Sequence, residues 1–326
     1  MYGGVALMKI LVLGGTSFVG RYLVEAAEKN GHEVVLFNRG KTNQEVYKHL
    51  RHIQGDRRKD AKLVGKEEWD AVFDTCAYSP QDLQPTLDIL KNKTKAYMFI
   101  STISVYDDYK NGRPYESSST FTQKIETDEV TGVTYGPLKV MCEQLVKDTF
   151  NEHALIIRPC IVVGPNDPTD RFTYYAKQLW KSGKVAVPGG DEPHRKVQWI
   201  DVRDMAKWIV QMVEEGKSGT FNVASNPLSM NEFIDEIASA DIEKAWVSDE
   251  VLEATDLGVR RYPFWMPMSK DFPEGFFVVE NHLAVNSGLT FRPLAETAQD
   301  TREWALNREL KAGPTVEQEQ AFLKNK

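Results

Sequence analysis

The segment Lys9-Ile-Leu-Val-Leu-Gly-Gly-Thr-Ser-Phe-Val-Gly20 joins a short apolar run to a turn with glycine at positions 14, 15 and 20. Apolar residues recur at positions 19, 22, 23, 26 and 27, the spacing of an amphipathic helix, and Asn30-Gly31 predicts its end. A second apolar run over residues 33–37 follows immediately. This order predicts a βαβ unit with parallel strands and a right-handed crossover.

Further short apolar runs lie at residues 71–73, 96–100 and 154–157, with helical patterns between them. The alternation predicts an α/β fold with a Rossmann-type doubly wound parallel sheet. After Gly164-Pro165 the sequence becomes richer in Trp, Pro and Gly. Helices are predicted there at about 203–215, 230–240 and 294–308, the second opened by a capping box from Ser229 to Glu232.

The composition is that of a folded protein with a sizeable core. The 326 residues are 41% hydrophobic and 27% charged, which argues against disorder or a fibrous repeat. The 40 basic and 47 acidic residues give a net charge of −7, so no nucleic-acid partner is expected. No apolar run approaches the length of a membrane span, and no membrane partner is expected. The three cysteines and six histidines show no metal-ligand spacing, which predicts no metal site and a reducing, cytoplasmic location.

The glycine-rich turn is a candidate dinucleotide site. Between a strand and a helix, such a turn brings backbone N–H groups and the helix N-terminus close to a pyrophosphate. Gly14 allows the tight turn and Gly20 lets the helix pack on the sheet, although a purely structural turn is the alternative. The candidate cofactor contacts are Gly14, Thr16, Ser17, Phe18, Val19 and Gly20.

The second strand ends in Asn38-Arg39, with Lys41 nearby. In dinucleotide folds this position contacts the adenosine ribose, and an Asp or Glu there favours a free 2′-OH. Because no carboxylate is present and an arginine can bind a 2′-phosphate bidentately, the sequence predicts NADP as the preferred cofactor over NAD. An ordinary exposed loop arginine is the alternative. Asp56 is a candidate acceptor for adenine, or else a turn aspartate.

Two Tyr-x-x-x-Lys matches occur, at Tyr106/Lys110 and Tyr135/Lys139. The first lies in a turn-like polar stretch, whereas the second begins a helical pattern in which four-residue spacing places both side chains on one face. An ammonium group favours the phenolate and lowers a tyrosine pKa toward neutral pH. Tyr135 is therefore predicted to exchange a proton with a substrate hydroxyl or carbonyl during hydride transfer.

Other candidates are placed by their position after predicted strands. Ser101 and Thr102 follow a central strand, where a hydroxyl could hold the reacting oxygen, and Ser101 is also a candidate cofactor contact. Tyr78 follows the fourth strand and is a candidate substrate contact, with ordinary loop packing as the alternative. The polar segment 107–131 is long enough to suggest a functional loop.

Taken together, these features resemble the extended or atypical short-chain dehydrogenases/reductases of the NAD(P)-dependent epimerase/dehydratase group. The similarity covers residues 8 to about 225. It rests on residues 14–20, Phe99-Ile-Ser-Thr-Ile-Ser-Val-Tyr106, Tyr135-Gly-Pro-Leu-Lys139, Arg158-Pro159 with Gly164-Pro165, Trp199-Ile-Asp-Val-Arg-Asp204 and Phe221-Asn-Val223. The resemblance implies that Thr102 is the catalytic hydroxyl, that Tyr135 is the acid/base, and that Lys139 holds the nicotinamide ribose and tunes the tyrosine.

The sequence departs from that group at three positions. Ser17 replaces the middle glycine of the cofactor turn. Ile161 and Val197 replace an asparagine and an arginine that serve the substrate pyrophosphate in nucleotide-sugar members. Neighbouring cations, namely Arg195, Lys196, Arg260 and Arg261, are candidate replacements, with Arg195 the predicted substrate contact.

The expected function is hydride transfer at a substrate hydroxyl or carbonyl by an NAD(P)-dependent epimerase, dehydratase or reductase. The small-molecule substrate is a nucleotide sugar or another carbonyl compound, and a homodimer is a candidate assembly. A non-catalytic dinucleotide sensor or an RNA-associated relative is the alternative, since chloroplast stem-loop-binding proteins also resemble epimerases. The predicted division is 8–165 plus 199–225 for the NAD(P)-binding lobe and 166–198 plus 226–326 for the substrate lobe, with 1–7 as an N-terminal extension.

Overall fold

The structure is a computed structural model that describes residues 6–324 apart from residues 111, 182, 193, 256, 259, 260, 268, 270–272 and 274. Most of the predicted N-terminal extension and the candidate Arg260 therefore lie outside the described residues. In the described part, no helix has the length and apolar character needed to cross a membrane.

The strands are β1 (Lys9–Leu13), β2 (Glu33–Asn38), β3 (Arg51–Gln54), β4 (Ala71–Asp74), β5 (Tyr97–Ile100), β6 (Ala154–Pro159), β7 (Ile161–Val163), β8 (Gly183–Pro188), β9 (Lys196–Val197), β10 (Trp199–Asp201), β11 (Gly219–Val223), β12 (Leu228–Ser229) and β13 (Ile242–Val247). The helices are α1 (Phe18–Lys29), α2 (Pro80–Leu90), α3 (Tyr135–Phe150), α4 (Arg171–Gln178), α5 (Val202–Glu214), α6 (Met230–Ile237), α7 (Asp249–Glu253), α8 (His282–Asn286), α9 (Leu294–Trp304) and α10 (Val316–Lys324).

A seven-stranded sheet forms the centre of the molecule, with the strand order β11-β6-β5-β4-β1-β2-β3. Every neighbouring pair in it is parallel. The order reverses next to β1, whose Leu11 lies opposite Val35 of β2 and Val72 of β4. This arrangement confirms the predicted α/β fold with a Rossmann-type parallel sheet, and the βαβ unit at its start.

Both faces of the sheet are covered by helices, because alternate side chains of a strand point in opposite directions. Ile10 and Val12 pack in a core with α1 and α5, whereas Leu11 and Leu13 pack in a second core with α2 and α3. Burial on both faces explains why the strands read as continuous apolar runs and not as alternating ones.

A separate core is formed by the later part of the chain, around α4, β8, α6 and α9. α6 begins with the predicted capping box, in which Ser229 Oγ accepts from Glu232 N and the Glu232 carboxylate accepts from Ser229 N. α9 ends at Trp304, earlier than predicted, and the carbonyls beyond it at Ala305 and Arg308 accept hydrogen bonds from Lys177 Nζ instead.

The chain returns to the sheet near its end. Val279, Ala284 and Leu289 belong to the core that contains α1 and α5, although they lie in the range predicted for the smaller lobe. The boundaries between the two lobes stay a prediction.

Candidate active site

A cleft of about 880 Å³ opens at the edge of the sheet where the carboxyl ends of β1, β2, β4, β5 and β6 meet. Ligand sites of doubly wound sheets lie at this edge, beside the point where the strand order reverses. Most of the candidates named from the sequence line it: Gly14, Thr16, Ser17, Phe18, Val19, Gly20, Asn38, Arg39, Asp56, Tyr78, Ser101, Thr102, Tyr135 and Lys139.

The glycine turn has a backbone that only glycine adopts readily. Gly14 and Gly15 have φ of +104° and +91°, in the left-handed region. Gly20 lies in α1, and a Cβ atom on it would approach Gly15 N to 2.8 Å. The glycine turn and the first turn of α1 are therefore in direct contact. The backbone of residues 14–20 is called the glycine cradle.

The N-terminus of α1 faces the cleft with its first N–H groups outside the helical ladder. The first backbone hydrogen bond of the helix runs from Arg21 N to Ser17 O, and the Ser17 side chain makes no capping hydrogen bond. Phe18, Val19 and Gly20 thus present donors, reinforced by the helix dipole, to a negatively charged group. These residues fit the pyrophosphate of a dinucleotide.

At the end of β2, Asn38 holds the loop in place. Its Nδ2 donates to Gly14 O at 2.9 Å and its Oδ1 accepts from Gly40 N at 2.9 Å. Arg39 and Lys41 are exposed and line the cleft. Asp56 also lines it, but its Oδ1 accepts from Arg58 N at 2.9 Å, as a turn aspartate does.

Behind this end of the cleft lies a buried ion pair that the sequence did not indicate. Arg57 donates to both carboxylate oxygens of Asp74, at 2.8 and 2.6 Å, and Tyr97 donates to the same carboxylate at 2.7 Å. Asp74 is fully buried, and the Arg57 guanidinium keeps its pKa below the usual value despite that burial. The pair fixes the loop after β3 to the end of β4.

At the opposite end of the cleft, Thr102 follows β5 and Tyr135 begins α3, as predicted. Burial raises the pKa of Tyr135 above its ordinary value, and this effect outweighs the hydrogen bond with Thr102 and the charge of Arg171, both of which lower it. The phenol is therefore protonated at neutral pH in the protein without ligand.

Lys139 lies one turn along α3 from Tyr135 but donates to a different part of the site. Its Nζ donates to Ala77 O and Ile100 O, both at 2.8 Å, and lies 4.9 Å from the centroid of the Tyr78 ring. Burial lowers the pKa of Lys139 to about 8. The ammonium therefore anchors α3 to the ends of β4 and β5.

The Ser101 hydroxyl makes its hydrogen bond within the protein. It donates to Glu143 Oε1 at 2.6 Å, and Glu143 also receives two hydrogen bonds from Arg158, at 2.8 and 2.6 Å. Arg158 in turn donates to the Tyr106 hydroxyl at 3.0 Å. This buried network joins β5, α3 and β6, so Ser101 contributes to the position of Thr102 next to it.

Two candidate substrate residues differ in their placement. Tyr78 lies at the cleft with 46% of its surface exposed, so it is open to a ligand. Arg195 is 6% exposed, lies over the Trp265 ring at 5.7 Å and does not line the cleft.

Among the described residues, no group of three or more His, Cys, Asp or Glu side chains is arranged to hold a metal ion.

The structure adds residues to the cleft that were not predicted. Asp167, Thr169 and Arg171 reach the cleft from the loop that follows Gly164-Pro165 and from the first residue of α4. Phe277 reaches it from the last part of the chain. The Gly-Pro pair was the available signal for the loop, but its spacing did not show which side chains turn inward.

A doubly wound parallel sheet, a glycine cradle at its reversal point, and Thr102, Tyr135 and Lys139 at one cleft define a nucleotide-binding protein of the short-chain dehydrogenase/reductase type. The model of the NAD dependent epimerase/dehydratase family matches residues 10–87 and 84–224. The chain belongs to this family.

Three individual proteins that resemble this chain are between 15% and 32% identical to it. A chloroplast stem-loop binding protein of 41 kDa b from Arabidopsis thaliana is 32% identical over 235 residues, which cover 66% of this chain and 58% of that protein. The UDP-N-acetylglucosamine 4-epimerase of Methanobrevibacter ruminantium has a TM-score of 0.67 at 16% identity, over 93% of this chain and 99% of that one. The Bordetella bronchiseptica enzyme WbmH, in complex with NAD+, has a TM-score of 0.66 at 15% identity, over 93% and 99%. At such identities the structural matches show a shared fold.

Proposed function

We propose that this protein is an NAD(P)-dependent enzyme that transfers hydride at a substrate hydroxyl or carbonyl, with Tyr135 as the acid/base. The observation that carries the proposal is the cleft itself. Its glycine cradle suits a dinucleotide, and its other end holds Tyr135 beside Thr102. The family membership supports NAD-dependent epimerase or dehydratase chemistry.

In this proposal, the Tyr135 and Thr102 hydroxyls hold the reacting substrate oxygen. The protonated Tyr135 donates to a carbonyl oxygen that is being reduced, and in the opposite direction its phenolate accepts the proton of a hydroxyl. Lys139 ties α3 to the carbonyls of Ala77 and Ile100, and in this proposal it would hold the nicotinamide ribose. When bound, the nicotinamide supplies or accepts the hydride.

The same proposal includes a preference for NADP(H). Arg39 and Lys41 are exposed at the end of β2, and the Asn38 amide occupies the position at which a carboxylate would disfavour a 2′-phosphate. NADPH and NADH titrations of wild type and Arg39→Gln test this. We expect NADPH to bind more tightly and Arg39→Gln to weaken NADPH selectively, whereas tighter NADH binding would contradict the preference.

The acid/base assignment is tested with Tyr135→Phe and, as a matched control, Tyr115→Phe, which changes an exposed tyrosine outside the cleft. Substrates to be tested are UDP-glucose, UDP-N-acetylglucosamine and small aldehydes. We expect Tyr135→Phe to lower turnover at least about a hundredfold with unchanged NADPH affinity, since positioned proton transfer is worth about that much. Full activity in Tyr135→Phe would refute the assignment.

The substrate class remains a choice between a nucleotide sugar and a small carbonyl compound. Ile161 lines the cleft where the resemblance expects an asparagine, and Val197 is buried in the later core where it expects an arginine. These apolar replacements favour a substrate that is not held through a pyrophosphate at those two positions. The same substrate panel distinguishes the two classes.

A second candidate function comes from the Arabidopsis relative, whose name describes stem-loop binding. This chain has a net charge of −7, which opposes a phosphate backbone. We therefore propose a small-molecule substrate and no nucleic-acid partner. Salt-sensitive binding of a stem-loop RNA at physiological ionic strength would favour the second candidate.

A further inference from the structure

Arg171 brings a positive charge to the catalytic end of the cleft. It is the first residue of α4, it is exposed, and it lines the cleft. Its Nε donates to Thr169 Oγ1 at 3.0 Å. Within the described part of the chain, its two Nη groups have no hydrogen-bond acceptor and no carboxylate within ion-pair distance, so both are available to a ligand.

The guanidinium is held in place by a short chain of hydrogen bonds. Thr169 Oγ1 accepts from Arg171 and donates to Asp167 Oδ1 at 2.7 Å, and Thr169 N donates to the same oxygen at 2.9 Å. Asp167 is only 1% exposed, and burial raises its pKa. Its carboxylate is thus occupied by Thr169, although it interacts electrostatically with Arg171.

Two other arginines of the cleft, Arg57 and Arg58, are paired with carboxylates. Arg57 is paired with Asp74, and Arg58 donates to Asp82 and Asp128, each at 2.7 Å. Arg39 lies at the adenosine end, beyond the glycine cradle. Arg171 lies close enough to Tyr135 for its charge to act on the phenol. Among the described arginines that line the cleft, Arg171 is the one that acts on Tyr135 and has no carboxylate partner.

We propose that Arg171 binds an anionic oxygen group of the substrate, a carboxylate or a phosphate, while the substrate's reacting carbon lies at Tyr135. The two Nη donors suit a planar carboxylate or two phosphate oxygens, which a guanidinium binds bidentately. The inference rests on the proposed function, because it assigns Tyr135 as the reacting end. It deepens that function by restricting the substrate to compounds with an oxyanion near the carbon that exchanges hydride.

The test is calorimetric binding to protein saturated with NADP+, repeated without nucleotide. The probes are glucuronate, glucose 6-phosphate and UDP-glucose, with neutral glucose as the reference. The proteins are wild type, Arg171→Gln, Arg171→Lys and the control Lys207→Gln, which removes an exposed charge on α5 outside the cleft. Thermal unfolding of each variant checks that it is folded.

We expect at least one anionic probe to bind wild type at least about tenfold more tightly than glucose, and Arg171→Gln to abolish that difference, since charge-assisted hydrogen bonds are worth about a factor of ten or more. Arg171→Lys should retain part of it, and Lys207→Gln all of it. A response to glucuronate alone identifies a carboxylate, and a response to the phosphorylated probes identifies a phosphate.

The proposal is overturned if no anionic probe is preferred, or if the preference persists in Arg171→Gln. A loss of NADP+ affinity without a loss of anion affinity would overturn it as well, by placing Arg171 at the cofactor. Failure of the proposed function has a different signature. In that case wild type does not bind NADP+ or NADPH, whereas the titrations without nucleotide still decide the role of Arg171.

Discussion

Replacing Lys139 with methionine should remove a pH-dependent cost to folding. The Lys139 side chain is almost fully buried, and burial lowers its pKa from 10.5 to about 8. Each pKa unit corresponds to about 1.4 kcal/mol, so a charged Lys139 costs the folded state about 3 kcal/mol at pH 7. The unfolded state, whose lysine is solvated, does not carry this cost.

The sign of the pH dependence follows from proton binding. Between pH 8 and 10.5 the unfolded lysine keeps its proton while the folded one releases it, so the unfolded state binds more protons. The Lys139 cost is therefore complete below pH 8 and declines as the pH rises. Wild type should gain about 2 kcal/mol relative to Lys139→Met between about pH 7 and 9.5. The lost hydrogen bonds to Ala77 O and Ile100 O add an offset that does not change with pH.

The measurement is urea unfolding of nucleotide-free protein, followed by tryptophan fluorescence across this pH range. Taking the difference between wild type and variant cancels the titration of the groups that do not interact with Lys139. Lys207→Met, at an exposed position on α5, serves as the control and should show a constant difference. A constant difference for Lys139→Met as well would refute the assigned burial cost.

Two further predictions concern the cofactor end. Asp74→Asn leaves the Arg57 guanidinium buried without its carboxylate, so the free energy of unfolding should fall by about 3–5 kcal/mol in urea titrations. Asp70→Asn, whose partner Lys95 is exposed, should cost at most about 1 kcal/mol, and equal effects would contradict the argument. Gly20→Ala places a Cβ atom 2.8 Å from Gly15 N and distorts the cradle. NADPH affinity should then fall at least about tenfold, or 1.4 kcal/mol, whereas Gly132→Ala, which meets no atom within 4 Å, should leave it unchanged.

The fold could be predicted because its signals are local. The run from Lys9 to Leu13, the glycine turn and the helical spacing after it are contained in one short segment, and the structure places β1 and α1 there. The apolar runs at residues 71–73, 96–100 and 154–157 also begin and end within two residues of β4, β5 and β6. The end of α9 was not predicted, because Lys177, far away in the sequence, binds the carbonyls beyond it.

The partners of the site residues could not be predicted in the same way. The sequence shows that Ser101 follows a strand, but its hydroxyl binds Glu143, 42 positions later, because α3 packs across the end of β5. The Arg57 and Asp74 pair joins the loop after β3 to the end of β4, and the distance between these two segments depends on the order of strands in the sheet. Such contacts are consequences of packing, and residue types at fixed spacing do not determine them.

Tyr135 and Lys139 show where spacing stops being informative. Four residues on a helix do place both on one side of α3, yet the Lys139 ammonium is directed to the carbonyls of β5 and of the loop after β4. The groups that lower the pKa of Tyr135 in this structure are Thr102 and Arg171, and burial outweighs both. Since Thr102 and Arg171 come from two other elements, the protonation state of Tyr135 is a property of the assembled cleft. An anion bound to Arg171 would reduce the positive charge acting on the phenol, which favours the protonated form that a carbonyl substrate requires.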